Sequence, residues 1–309
     1  MDQYDVSVII PTVLRPELLR AVRSTREPGT NVEVVLVIDR GLEASCPSEV
    51  RNLVDVVIHT GGGRGAGHAR NLGVRAARAP WVAFLDDDDE FLPGKLRAQL
   101  NTCEFLARAG HRPVVSCRAV HRWEAPAAES APLPSRLYRS GEPLEEYLFR
   151  RRRLGVDRAS VFAPTLMVEA ALAREVPWDE HLRRHQDWDF LLRALSVPGS
   201  VLEQLPITGT ACWIGAGGSM SGDADWRSSL GWATRWRGRW SPRVYSDFLV
   251  AQPLRYALHA RSPEGCRAVV KELLHARALP SASAMTLGLA GVLPRNVLEA
   301  GAAAATRRS

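Results

Sequence analysis

Five consecutive carboxylates, Asp86-Asp87-Asp88-Asp89-Glu90, follow directly on the apolar run from Trp81 to Leu85. Adjacent carboxylates repel one another, and a cation is the natural way to make such a strand end tolerable. In an extended segment alternate residues share a face, so Asp86 and Asp88 are expected to point into one site while Asp87 and Asp89 point elsewhere. Hard oxygen ligands without nearby His or Cys favour Mg²⁺ or Mn²⁺. A solvated acidic loop is the plain alternative. About 100 residues further on, Asp187 stands near the predicted N-terminus of a helix in Arg183-Arg184-His185-Gln186-Asp187-Trp188-Asp189. The helix dipole favours its anion there, which suits a base that must be ionised before it takes a proton. A helix-capping acid is the competing reading of Asp187 alone.

Three further polar groups stand at the ends of predicted strands: Thr12, Asp39 and the loop Gly61-Gly62-Gly63-Arg64-Gly65-Ala66-Gly67. In open α/β sheets ligands bind outside the carboxyl ends of the strands, so these groups and the acids are expected to converge on one crevice. Arg70, inside the following helix, is placed to pair with a phosphate or to be an ordinary surface charge. The glycine loop also fits G-x-G-x-x-A from Gly61 to Ala66, which keeps a dinucleotide-dependent oxidoreductase as an alternative. Its position after the third strand, not the first, argues against that reading, as does the unexplained acid cluster.

The elements that must position these groups alternate. Apolar runs Val6 to Ile10, Val32 to Ile38, Val54 to His59, Trp81 to Leu85 and Val114 to Ala119 read as strands, and Pro16 to Thr25, His68 to Arg78 and Pro93 to Ala109 as amphipathic helices. The alternation predicts an α/β fold with a mostly parallel sheet covered by helices. Glu124 to Pro143 reads as a loop or lid, Ser160 to Val168 as a strand, His185 to Leu195 as a helix and Val201 to Ile214 as one or two strands. The 309 residues carry 40 basic and 34 acidic side chains, and only Lys95 and Lys271 are lysines. Neither lies in a G-x-x-x-x-G-K-[ST] loop, which sets aside nucleotide hydrolysis by that route. Five scattered cysteines predict reduced thiols, and the first residues predict no cleavable leader, so a cytoplasmic location is expected.

In their order and spacing, four blocks resemble the family 2 glycosyltransferases, inverting enzymes of the Rossmann-like GT-A fold that use nucleotide-diphospho-sugars. The blocks are Val8-Ile9-Ile10-Pro11-Thr12; Val35 to Asp39; Gly67-His68-Ala69-Arg70-Asn71-Leu72-Gly73 with Val82 to Asp89; and His185 to Asp189, together covering roughly residues 5 to 215. The resemblance implies nucleotide contacts at Pro11, Thr12, Arg15, Asp39, Arg70, Asp86 and Asp87. It implies Asp88, with Asp86, as ligands of Mn²⁺ or Mg²⁺, Asp187 as general base, and Trp188, His185 and Trp213 as candidate acceptor contacts. It implies a UDP- or TDP-type sugar donor and a saccharide, lipid-linked or small-molecule acceptor. Two departures stand out: Arg40-Gly41-Leu42 follows Asp39 where the family often has a second Asp and Gly-Ser, and Gln186 replaces the usual Glu before the base.

These readings divide the chain into a catalytic domain over 1–222, with nucleotide- and metal-binding residues in 1–119 and acceptor and base residues in 120–222. A helical, basic, Trp-rich extension over 223–309 completes it. Trp232, Trp236 and Trp240 are four residues apart, so a single helix would align them as a core-facing stripe, an acceptor platform or a membrane-surface face. Nucleic acid is not an expected partner, because no recognition motif accompanies the basic residues. Arg150 to Arg153 reads as a solvated turn or a holder of an anionic acceptor, and Leu287 to Ala304 as a docked or mobile helix. Peripheral contact with the inner face of a membrane stays open, as does a non-catalytic protein that binds anionic polymers on a degenerate transferase fold.

Overall fold

The computed structural model describes residues 4–123, 127–151, 161–214 and 225–292. The strands are β1 (Val6–Thr12), β2 (Val32–Ile38), β3 (Val56–His59), β4 (Trp81–Phe84), β5 (Glu90–Phe91), β6 (Arg112–Trp123), β7 (Ala128–Glu129), β8 (Met167–Glu169) and β9 (Ser200–Trp213). They form one sheet in the order β3-β2-β1-β4-β8-β6-β9-β5, with β7 paired to β6. The first four strands are mutually parallel, β8 runs antiparallel to both β4 and β6, and β6 and β9 are parallel. The chain reverses its order of addition between β1 and β4, which puts the switch-point crevice at the carboxyl ends of these two strands.

β1 and β2 are buried along their whole length, which explains their unbroken Val/Ile runs. One face of β1 and β2 packs against α1 (Leu18–Ser24), through Leu18, Ala21 and Val22, and the same core takes in Leu96, Leu100 and Cys103 of α4 (Lys95–Arg108). The four-residue α2 (Ser48–Arg51) lies between β2 and β3. The opposite face carries α3 (Ala66–Ala76), and it approaches so closely that a Cβ on Gly73 would lie 2.4 Å from Ile9. Where a strand was expected over Ser160 to Val168, a 3₁₀ turn at Ala163–Thr165 precedes the short β8; residue 160 lies outside the described residues. Where one or two strands were expected over Val201 to Ile214, there is one long strand, Ser200–Trp213, and register shifts at Cys117/Arg118 and Arg118/Ala119 accommodate its pairing with β6.

The chain divides into two compact units. The sheet unit comprises residues 1–140, 160–182 and 186–214, with α6 (Ala170–Glu175) and α7 (Gln186–Ala194) among its helices. The second unit takes in 141–159 and 183–185 as well as 215–309. Its helices are α5 (Leu144–Phe149), α8 (Trp226–Thr234), α9 (Pro242–Leu249), α10 (Arg255–His259), α11 (Pro263–Ala276) and α12 (Ala282–Leu289), with a π turn at Val250–Leu254.

Trp232, Trp236 and Trp240 do not share one helix. α8 stops at Thr234, and 3₁₀-type bonds such as Trp236 N to Ala233 O and Arg239 N to Trp236 O carry the chain through turns to Gly238, whose φ is +77°. The three indoles are nevertheless at most 7% exposed: Trp232 and Trp240 close on Phe149 and Phe248, and Trp236 stacks on Trp240 at 5.8 Å, so they form an aromatic core in the second unit. Arg150 is likewise no solvated turn residue: it donates at 2.5 Å to Asp247, which is fully buried, and the Arg151 amide donates to the same carboxylate. Arg152, Arg153 and residues 293–304 of the expected C-terminal helix lie outside the described residues. All five cysteines are free, and among the described residues no helix is long and apolar enough to cross a membrane.

Candidate active site

The acid cluster is a turn and not the extended segment expected, with the Asp89 amide donating to the Asp86 carbonyl at 3.1 Å, but burial still alternates along it. Asp87 and Asp89 are buried, at 4% and 7% exposure, while the side chains of Asp86 and Asp88 keep 36% and 37% of their surface. Asp87 ties two strand ends together: its carboxylate accepts from the Thr12 hydroxyl at 2.7 Å, the Val13 amide at 3.2 Å and Arg15 at 3.2 Å. Thr12 in turn accepts the Leu14 amide at 2.7 Å, which shapes the turn carrying Arg15. Arg15 also pairs with Asp88, and Arg20 donates to the Asp88 carbonyl. Pro11 is a buried ladder residue of β1, opposite Val37. Burial raises the Asp88 carboxyl to about 6 against the pull of Arg15, and Asp86 and Asp87 push the same way as burial.

Asp39 organises the glycine loop. Its carboxylate accepts from the Thr60 hydroxyl, the Arg64 amide at 2.9 Å and the Gly65 amide at 2.7 Å. Burial pushes this carboxyl up, but those three hydrogen bonds outweigh it and hold the pKa below the usual value. At Gly62 φ is +100° and a Cβ would meet the Gly41 amide nitrogen at 3.0 Å, so the loop requires glycine there. The loop follows β3, so the strand-one geometry that a dinucleotide fingerprint needs is missing.

Arg70 joins the acid cluster to the start of α7. It is 4% exposed; one guanidinium nitrogen donates to Asp86 at 2.6 Å, another donates to Gln186 at 3.1 Å, and the group lies 4.7 Å above the Trp178 ring. Asn71, next to it on α3, fixes that indole by accepting from the Trp178 amide and donating to its carbonyl, at 2.8 and 2.9 Å. Trp178 stacks on Phe190 of α7 at 4.5 Å and meets Phe84 of β4 edge-on at 5.1 Å. The start of α7 is thereby fixed from two sides, by the Asn71–Trp178–Phe190 packing and by Gln186, which also donates to the Leu182 carbonyl. Asp187 lies in this first turn. Burial raises its pKa to about 6, Arg70 opposes the rise, Asp86 adds to it, and an amide hydrogen bond from Ala163 lowers it.

Thr12, Arg15, Arg70, Asp86, Asp87, Asp88 and the Gln186-Asp187 pair are thus linked around one strand-end site, with the Asp39 amide donating to the Thr12 carbonyl beside it. Trp213 ends β9; its amide donates to Asp89, and Arg20 and Arg122 lie 4.3 and 5.9 Å from its ring centre. Trp188 follows Asp187 on α7 and is partly exposed. His185 falls in the second unit, where its ring meets the Ser229 hydroxyl at 2.8 Å and packs 5.0 Å from Trp232. Burial, with Arg184 and Arg255 nearby, lowers its pKa to about 3, so the ring is neutral at ordinary pH. Arg20 and Asn71 were not singled out from the sequence. Arg20 follows Arg15 by five positions and had no signal beyond that; Asn71 sits next to Arg70 in the glycine-helix block.

Among the described residues no group of three or more His, Cys, Asp or Glu side chains is arranged to hold a metal ion. The donor set still suits Mg²⁺ or Mn²⁺ of the kind bound by one or two carboxylates plus substrate phosphates, because Asp86 and Asp88 are the two accessible acids of the cluster.

Residues 7–159 match the family model described as glycosyl transferase family 2. Over 203 residues the chain is 29% identical to the amylovoran biosynthesis glycosyltransferase AmsB of Erwinia amylovora, covering 63% of this chain and 65% of that protein. It is 37% identical over 91 residues to the succinoglycan biosynthesis protein ExoO of Rhizobium meliloti (strain 1021), covering 28% of this chain and 26% of that one. The matched stretches therefore span less than two thirds of these relatives. The S. aureus TarS 1-349 structure in complex with UDP-GlcNAc superposes with a TM-score of 0.53 at 16% identity, covering 96% of this chain and 92% of that one, and shares the fold. The fold is of the GT-A glycosyltransferase type. Residues 7–159 thus carry a family 2 glycosyltransferase domain.

Proposed function

We propose that the protein moves a sugar from a nucleotide-diphospho-sugar to an acceptor hydroxyl with inversion at the anomeric carbon. The observation that supports this reading is the Arg70 bridge, which hydrogen-bonds to Asp86 of the acid cluster and to Gln186, the residue before Asp187. In the reaction, Asp187 in its ionised form takes the proton of the acceptor hydroxyl as that oxygen attacks the anomeric carbon. The bond from that carbon to the diphosphate oxygen breaks on the opposite face, and the nucleoside diphosphate leaves. Arg70 and Arg15 provide positive charge beside the departing group. A divalent cation, held by Asp88 with Asp86 and the donor phosphates, would supply further charge neutralisation. Thr12, Asp39 and the glycine loop form the nucleotide side of the crevice.

The relatives support a donor and acceptor class. AmsB and ExoO take part in amylovoran and succinoglycan biosynthesis and TarS 1-349 binds UDP-GlcNAc, which favours a UDP-type donor and a saccharide acceptor here. A cytoplasmic location fits such a donor. The test is a tryptophan-fluorescence titration with UDP and Mn²⁺ against NAD(P)⁺, followed by transfer assays with a donor panel. Saturable binding of UDP but not NAD(P)⁺, with transfer from a UDP-sugar, is expected. NAD(P)⁺ binding, or no transfer from any donor, would contradict the reading.

A further inference from the structure

Two helices of the second unit carry large apolar side chains on their outer faces. On α12 the small Ala284 and Gly288 face inward, and a Cβ on Gly288 would meet the Val250 carbonyl oxygen at 2.6 Å. Met285 and Leu289 are 36% and 53% exposed, and no charged residue lies between Ala282 and Leu289. On α11 the buried residues are Gly265, Val269, Glu272 and Ala276, while Val270 and Leu274 are 51% and 76% exposed. Leu279, between the helices, is 80% exposed. A helix of a water-soluble bundle does the reverse, with large apolar residues inward and polar ones outward.

The charges around this face have one sign. Residues 225–292 contain nine arginines and one lysine against four acids, an excess equal to the net +6 of the whole chain. All four acids are engaged: Asp225 caps α8, buried Asp247 takes Arg150, Glu264 pairs with Arg227, and Glu272 pairs with Arg237 and Tyr245. Arg267, Lys271 and His275 recur every four residues along the exposed side of α11, beside Val270 and Leu274, and Arg277 follows its end. Apolar side chains set among cations match the acyl boundary and headgroup phosphates of an anionic bilayer. A second copy of the same face would bring Arg267 and Lys271 against like charges.

We propose that the outer faces of α11 and α12, with Leu279 between them, dock on an anionic lipid bilayer. The apolar side chains enter the interfacial layer and Arg267, Lys271 and Arg277 meet lipid phosphates. The full-length protein is to be co-sedimented with vesicles of phosphatidylcholine alone and with about 30% phosphatidylglycerol, at low and high salt. The variants are Arg267→Glu with Lys271→Glu and Leu274→Ser with Leu279→Ser, each checked by circular dichroism for an unchanged melt. Binding to the anionic vesicles only, weakened by salt and lowered about tenfold or more in each double variant, is expected. Absence of binding at low salt, or variants that bind like the wild type, would overturn the proposal. So would a dimer in sedimentation velocity that the leucine substitutions dissociate while vesicle binding persists, because that result assigns the face to a second copy.

Discussion

Arg70 donates to Gln186 at 3.1 Å across 116 positions of sequence. The same guanidinium donates to Asp86, so the residue before Asp187 and the first acid of the cluster are held by a single buried cation. With glutamate at position 186, as in much of the family, Arg70 would be shared between two carboxylates. Glutamine leaves its charge to Asp86 and Asp187 and adds a donor for the Leu182 carbonyl.

Replacing Asp187 by Asn is expected to lower turnover about 10²- to 10⁴-fold while nucleotide affinity survives. The same substitution is expected to raise the melting temperature at pH 7 by about 2 to 4 °C. The sign follows from linkage: the folded pKa lies above the unfolded one, so the ionised carboxylate costs stability above about pH 6, and the cost disappears below the unfolded value. Steady-state kinetics, a nucleotide titration and a thermal melt check the three parts; near-wild-type turnover would remove Asp187 from the role of base.

The base must be ionised to act, so the rate is expected to fall as pH drops through about 6, the value to which burial raises Asp187. Because Arg70 holds that pKa down, Arg70→Gln is expected to move the acid limb to higher pH as well as lower kcat/KM about 10²-fold. A pH profile of kcat/KM for both proteins decides it, and an unmoved limb would separate Arg70 from the ionisation of the base.

Much of this arrangement was legible in the sequence for specific reasons. Val32–Ile38 is buried along its whole length and therefore reads as one unbroken apolar run, and the groups that end the strands, Thr12, Asp39 and Asp86, mark the crevice. Arg70 was visible as a candidate partner of a phosphate, but its bridge depends on α3 and α7 meeting, which no local pattern encodes. The Trp232, Trp236, Trp240 spacing suggested one helix because period-four spacing fits a helix, whereas Gly238 and the 3₁₀ bonds before it place the same indoles in one core through turns. Arg150 read as solvated because its partner Asp247 is 97 positions away and buried.

Removal of divalent cations is expected to abolish transfer, and added Mn²⁺ or Mg²⁺ to restore it. Asp88→Asn is expected to weaken Mn²⁺ binding in the presence of nucleotide by about tenfold or more, read by the paramagnetic resonance signal of free Mn²⁺. Full activity in a chelator, or unchanged Mn²⁺ affinity in the variant, would count against Asp88 as a ligand.

Lys95 is fully buried and donates at 2.7 Å to Gln99, with its ammonium 3.7 Å from the Phe91 ring centre; burial lowers its pKa to about 8. The folded value is below the unfolded one, so the charged lysine costs stability at pH 7, and that cost is relieved as pH rises from about 8 toward 10. Lys95→Met leaves the Gln99 oxygen without this donor and is expected to change stability at pH 7 by no more than about 1 to 2 kcal/mol. Relative to wild type, the variant is expected to lose ground steadily between pH 8 and 10. Denaturant melts across that range check it, and a pH-independent difference would contradict a buried, titrating lysine.

The reaction proposed for this site is a single inverting displacement with Asp187 as base. It is tested most directly by nuclear magnetic resonance of the product formed from the best sugar-nucleotide donor and its acceptor. The expected result is a glycoside with the anomeric configuration opposite to that of the donor, formed in step with nucleoside diphosphate release and lost with Asp187→Asn. A product that retains the donor configuration, or one that Asp187→Asn forms at the wild-type rate, would contradict it.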